Sequence, residues 1–256
     1  MMAHTLILAH NTFREAIRDR VLTAALVFGG VLVAASVGLA PLTLGEQERV
    51  VRDLGLAAIS FFALLLIILV GTGMVYREIE RRTIHTILTQ PVSRPSFILG
   101  KFLGLYATVL VSLGALSLVY VPVVALFGGG VTSGVFLTLT LAGLEALLIT
   151  AVAIFFSTVA SPMLSAVFTF FVVGAGNLAY DVKRLAEIAE NPVLTPITQA
   201  MYLVLPSLHH FDTRNALLAG QPVPPEQILF CLQYAVLYSA AVLLLTIAAF
   251  NRRDFE

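Results

Sequence analysis

Charge is scarce in this chain. Of 256 residues only 12% are Asp, Glu, Lys or Arg, while 59% are apolar and the mean hydropathy is +0.95. Soluble domains are about a quarter charged, so this chain has too little charge to coat a water-facing surface. That shortage excludes a soluble globular enzyme, a disordered chain and a nucleic-acid binder with a basic face. Cysteine is scarcer still. Cys231 stands alone, which excludes an internal disulfide and a thiolate metal cage. Neither sign of charge is in surplus, with 15 basic and 15 acidic residues, so net charge points to no partner. Catalytic signatures are missing as well: there is no HExxH, no GxSxG and no intramembrane Ser/His pair. Gly100-Lys101 is not a phosphate loop, because Pro95 stands where that motif requires glycine.

What the chain has is long apolar runs. A transmembrane helix needs roughly 20 mostly apolar residues to cross a hydrocarbon core about 30 Å thick. Six stretches qualify: Val21–Ala40, Leu54–Tyr76, Phe102–Phe127, Gly134–Phe156, Met163–Tyr180 and Ile228–Phe250. Their apolar character is continuous rather than alternating, so helices are expected, not barrel strands. The first run is too long for a cleaved signal peptide, and Pro41 follows the only plausible cleavage residue, Ala40. The reading is a single all-α membrane domain over residues 1–256.

The basic residues set the orientation. With the N-terminus inside, the inner side carries Arg14, Arg18, Arg20, Arg77, Arg81, Arg82, Arg94, Lys101, Arg252 and Arg253. The outer side carries Arg49, Arg52, Lys183, Arg184 and Arg214. The excess of basic residues within then puts both termini in the cytoplasm, in an inner membrane.

Three segments lie outside the spans. In His4–Arg20, Leu6, Ala9, Phe13, Ala16 and Ile17 share one face of a helical wheel, and Asn11, Arg14, Glu15, Arg18 and Asp19 share the other. This is the pattern of an interfacial amphipathic helix. The inner loop 77–101 carries an apolar stripe of Ile84, Ile87 and Leu88, which Pro91 ends. Ser93 then suits an N-cap, with Pro95 in the first turn of the next helix. The other inner connection, Ser157–Pro162, has no charge. A cytoplasmic protein therefore has this loop and the N-terminal helix to grip. In the outer segment 181–227, Val182, Leu185, Ala186 and Ala189 predict a helix ended by Asn191-Pro192. The apolar stretch Pro196–Leu205 predicts a re-entrant or interfacial helix, and Asp212 suits the cap of a helix that Gly220 ends.

Glu145 is the one ionisable residue deep inside a span. A charge there costs about 3 kcal/mol on insertion scales. It reads either as a substrate-pathway or proton-linked residue, or as a hydrogen-bonded structural carboxyl. Asn177 reads as a pathway residue or as one end of a helix-to-helix hydrogen bond. His209-His210 with Asp212 suggest a metal, but adjacent histidines do not easily ligate one ion and no third strong ligand is spaced nearby; ordinary loop residues are the favoured reading. His85 reads as a contact residue. Gly100 and Gly104 have the spacing that lets two helices approach closely.

Along the inner loop the chain resembles the ABC-2 type transporter permeases. Their loop between spans two and three carries a Glu-rich start, a Gly-Thr-Leu, a Leu-Leu pair, Pro-Val-Ser-Arg, and a Gly-Lys entering span three. Here stand Glu78 and Glu80, Thr83-Ile84, Ile87-Leu88, Pro91-Val92-Ser93-Arg94 and Gly100-Lys101, with Arg82 where the family usually has glycine. The order of elements resembles the family along the whole chain. Leu205-Pro206-Ser207-Leu208 with Phe211-Asp212 is similar to a Leu-Pro-Asn-Leu…Phe-Asp pattern of some members, among them the permease for copper-site maturation of nitrous oxide reductase.

The resemblance implies six spans, an interfacial helix, and a coupling helix that docks on a separate ATP-binding subunit. It implies two copies of the chain, two ATP-binding subunits, and ATP with Mg²⁺ on that partner rather than here. An outer accessory protein is compatible with the outer segment. Coupling then falls to Glu78, Glu80, Arg81, Thr83, Ile84, Ile87, Leu88 and Arg94, and bracing to Phe13, Arg14, Ile17 and Arg18. The other reading is a stand-alone ion- or proton-coupled carrier centred on Glu145. Such carriers need several intramembrane polar groups and usually two related halves.

Overall fold

A computed structural model describes residues 2–39, 41, 46–76, 93–188, 194–213 and 223–252. Among these residues the chain is helical, with no strand. Helix α1 is Met2–Ile17 and α2 is Arg20–Leu39. Helix α3 begins at Gln47, takes one π-helical turn at Ile67–Gly71 and runs on to Tyr76. Helices α4 (Arg94–Phe127), α5 (Ser133–Val159) and α6 (Pro162–Ile188) follow. A shorter α7 (Leu194–Val204) and a 3-10 turn (Leu208–Phe211) precede α8 (Pro225–Asn251). Six helices, α2 to α6 and α8, are long and apolar enough to cross a membrane. An even number of crossings returns both termini to one end of the bundle, the terminal end; the other is the distal end.

The helix boundaries agree with the expected cap at Ser93 and correct the sequence reading in one place. The apolar run of the third span begins at Phe102, and α4 starts eight residues earlier, where the expected cap stands. Ser93 is its N-cap, as the sequence suggests: the Ser93 hydroxyl accepts from the Ser96 N–H, with Pro95 in the first turn. At 34 residues α4 is about 51 Å long, so about two turns of it carry the polar residues that the apolar pattern could not claim. The helix expected over residues 182–189 is not a separate element, because α6 runs unbroken to Ile188. No glycine or proline interrupts the chain between Tyr180 and Ile188. The switch to Asp181, Lys183 and Arg184 marks a change of surroundings, not a helix end.

The core lies along α4 and α5, where Ile98, Leu105, Val109, Leu141, Leu148 and Ile154 are fully buried. Helix α3 packs between α2 and α4, and α8 packs against α5 and α4. Large apolar side chains point outward instead on α2 (Val27, Val31) and α6 (Met163, Phe170, Phe171). That suits a bundle whose surroundings are as apolar as its core.

Helix α1 lies against the start of α4. A side chain on Gly100 would meet Leu8 Cβ at 2.6 Å, and one on Gly104 would meet the Ala9 carbonyl and Thr12 Cβ at 2.6 Å. The two glycines are the seat of α1, the close approach their spacing suggests. The face of α1 that docks there is Leu8, Ala9, Thr12 and Ala16. Leu6, Ile7 and Ile17 are exposed, and so are Arg14 and Arg18, while Phe13 is half-buried. The groove over two glycines selects residues that fit.

Candidate functional site

Three helices and the distal segment enclose a cavity of about 370 Å³. Helix α3 lines it with Ala57, Ser60, Phe61, Ala63 and Leu64. Helix α5 adds Ala142, Glu145, Ala146 and Ile149, α6 adds Val173 and Asn177, and Asp212 follows the 3-10 turn. Glu145 and Asn177, the two intramembrane polar residues singled out in the sequence, thus line one space although they are on different helices. Glu145 is half-buried at the middle of α5. The Asn177 side-chain amide donates to the Val173 carbonyl, 3.1 Å away on its own helix. Among the described residues no helix-to-helix bond is made through that nitrogen.

Ser60, Phe61 and Asp212 are cavity residues that sequence reasoning did not assign to a pathway. Ser60-Phe61 was hidden inside an apolar run, and Asp212 had been read as a helix cap. The helix it was to start falls outside the described residues. Asp212 reaches the cavity because the segment before it folds back into the bundle. Pro206, Ser207, Leu208, Phe211 and Thr213 are all buried. Gly176 leaves room for the Pro206 carbonyl, the Thr138 and Thr213 hydroxyls are 3.1 Å apart, and the Tyr234 hydroxyl accepts from the Ser207 N–H at 2.9 Å. The Leu-Pro-Ser-Leu…Phe-Asp stretch is therefore the plug of the distal end.

The two histidines of this plug diverge. His209 stacks on Tyr180, centroid to centroid 4.2 Å, while His210 turns toward Phe230 and Tyr234. Nε2 of His210 lies 3.4 Å from the Tyr202 hydroxyl, and its carbonyl accepts from Cys231. Burial, and then the nearby His209, hold the His210 pKa below the ordinary imidazole value. Among the described residues no three His, Cys, Asp or Glu side chains converge as metal ligands would.

At the terminal end, the start of α4 joins two other parts of the chain, α1 and α8. It carries the seat of α1 at Gly100 and Gly104. Phe97 stacks on Phe250 of α8 at 5.8 Å, and the Arg94 guanidinium donates to the Asn251 carbonyl at 3.0 Å. Lys101 is buried with its ammonium 5.9 Å from the Phe97 ring centre. Of the residues expected to couple, Arg94 alone is described. Glu78, Glu80, Arg81, Thr83, Ile84, Ile87 and Leu88, like His85, lie outside the described residues. The chain leaves that loop at Ser93 and enters it at Tyr76, beyond the π-turn. There the Val75 N–H donates to Ser157 Oγ of α5 at 3.1 Å, and Gly71 lies close under Leu105 of α4.

Among the described residues six helices are long and apolar enough to cross a membrane, and a polar cavity lies between three of them. Residues 6–255 match the model of a family described as ABC-2 family transporter protein. The chain belongs to the ABC-2 family. It is a multi-pass membrane protein of transporter type, as the resemblance implied. No curated protein sequence matches it.

Proposed function

We propose that this ABC-2 permease is driven by ATP hydrolysed on a separate ATP-binding subunit. It acts as two copies of the chain, each holding one such subunit in the cytoplasm, where both termini lie. ATP and Mg²⁺ reside on that subunit; this chain contributes no phosphate loop. The observation that carries the reading is the family match over residues 6–255 together with the anchorage of α4 at the terminal end.

In this reading the loop from Glu78 to Ser93 is the coupling helix, docking through Ile84, Ile87 and Leu88 with Glu78, Glu80, Arg81, Thr83 and Arg94 around them. Movement of the loop has two rigid exits. One passes through Ser93 into α4, which is joined to α1 and α8. The other passes through Tyr76 and the π-turn into the part of α3 that lines the cavity. Elements with two packings, not continuous deformation, convert such a push into opening or closing. Helix α1 presents Leu6, Ile7 and Ile17 to the bilayer and Arg14 and Arg18 to its headgroups. Glu145 and Asn177 face the cargo in the cavity. An accessory protein on the outside would meet the distal plug.

The test is copurification of the chain with its candidate ATP-binding subunit. Ile84→Ala combined with Glu80→Ala is expected to abolish the complex, whereas Phe171→Ala on the outward face of α6 retains it. Survival of the complex in the loop variant overturns the assignment.

A further inference from the structure

Between the cavity and the terminal end, α3, α5 and α6 close into a seam. Beyond the cavity lining, Ile67 and Val75 on α3, Ala153 and Ser157 on α5, and Ser165 and Thr169 on α6 are all fully buried. The π-turn of α3 touches both α5 and α6 there, and a side chain on Gly71 would meet Ala153 Cβ at 3.5 Å. Ser157, Ser165 and Thr169 put hydroxyls into this seam. Among the described residues the Thr169 hydroxyl has no hydrogen-bond partner. A buried polar group left in that state is costly unless water reaches it.

A hydrogen bond between helices fastens the seam. An unbroken α-helix would give the Val75 N–H to the Gly71 carbonyl, four residues back. The π-turn at Ile67–Gly71 and the turn residues Thr72 and Gly73 break that register. The N–H goes to Ser157 Oγ of α5 at 3.1 Å. Neither partner is stranded if this bond breaks. The Val75 N–H can return to Gly71 within α3. The Ser157 hydroxyl can turn to the carbonyl four residues back on α5, as Thr150 does by donating to Ala146 at 2.6 Å. A bond whose two ends each have a second partner allows two packings, which is what a gate needs, and π-turns are frequent at functional sites.

We infer that this seam is the closed terminal half of the cargo path and that Ser157 is its latch, a positioning residue that holds the end of α3 against α5. Tyr76, the residue after Val75, leads directly into the inner loop, so movement of the loop pulls on the latch. Its release opens a way past Ser157, Ser165 and Thr169 to the cavity. The inference rests on the reading of the cavity as the cargo pathway and names the gate of that pathway.

The reporter is Thr169→Cys in a Cys231→Ser background, with the full chain in nanodiscs and a charged methanethiosulfonate reagent as the probe. With Ser157 present the reporter is expected to react slowly, as a fully buried thiol. Ser157→Ala is expected to speed the reaction about tenfold, equivalent to about 1.4 kcal/mol of easier opening, the scale of one net hydrogen bond. Ser157→Thr keeps the hydroxyl and is expected to hold the parent rate. Ser239→Cys on α8 is the control for general loosening: Ser239 is buried and its hydroxyl also lacks a partner, but α8 packs against α4 and α5 outside the seam. Its rate is expected to ignore Ser157→Ala. If Ser157→Ala does not fold, Val75→Pro removes the same bond from the donor side. An unchanged rate at Thr169→Cys, or an equal rise at Ser239→Cys, overturns the inference. The experiment needs neither the ATP-binding subunit nor a cargo, so its failure is separable from a failure of ATP coupling or of the cargo reading.

Discussion

Gly104→Ala and Gly114→Ala are the same chemical change on the same helix, and the structure assigns them opposite signs. At Gly114 an added methyl meets nothing within 4 Å. The change there only removes glycine's backbone freedom, a gain of about 0.5–1 kcal/mol. At Gly104 the methyl would lie 2.6 Å from the Ala9 carbonyl oxygen and 2.6 Å from Thr12 Cβ, where ordinary contact begins at 3.4 Å. Neither atom can swing aside, so α1 as a whole retreats by about 0.8 Å, a gap that forfeits a quarter to a half of each dispersion contact. Overpacking of this kind costs about 1–3 kcal/mol, which outweighs the backbone gain. For a chain of this size 1 kcal/mol moves the unfolding midpoint by roughly 2–4 °C. Thermal unfolding in nanodiscs is therefore expected to fall for Gly104→Ala and rise slightly for Gly114→Ala. Amide exchange should quicken over Met2–Ile17 in the first variant and stay unchanged over Ser133–Val159. Equal shifts for both variants, or unchanged exchange in α1, would refute the docking of α1 on α4.

Other outcomes follow from the distal plug and the cavity. Tyr234→Phe leaves the Ser207 N–H without its acceptor, which costs about 1–3 kcal/mol for a buried donor; unfolding by heat measures it, and an unchanged midpoint would count against the plug. The His210 pKa is depressed below 6.5 in the fold, so the unfolded chain binds the extra proton first. The plug's stability is full above pH 6.5 and declines as the pH falls from there toward the folded pKa, and His210→Gln should flatten that slope. Glu145→Gln is expected to impair transport while leaving the complex with the ATP-binding subunit intact, since Glu145 sits at the centre of α5, away from the Ser157 end that meets Val75; loss of the complex would place Glu145 in the fold instead.

The spans were legible in the sequence because hydropathy and length decide them. The cap at Ser93 was legible because capping is local, and the glycine pair because its spacing alone allows close approach. What was not legible is nonlocal. Which helix would fill the glycine seat depends on shape, so hydropathy alone did not point to the docking face of α1. Glu145 and Asn177 could each be noticed, but only the packing of α3, α5 and α6 shows that they share a cavity with Asp212 and Ser60. The continuity of α6 was missed because a change from apolar to charged residues looks like a boundary while the backbone has no reason to stop. The coupling residues from Glu78 to Leu88 rest on the sequence alone.

The energy source tests the account most directly. Proteoliposomes containing the chain with and without its ATP-binding subunit, labelled at a cavity position such as Ser60→Cys in a Cys231→Ser background, report whether the cavity changes its accessibility. The account predicts a change on adding ATP with Mg²⁺ that requires the subunit and is lost with Ile84→Ala and Glu80→Ala. A change in the chain alone, driven by a pH gradient and abolished by Glu145→Gln, would contradict it and make the protein a self-sufficient carrier.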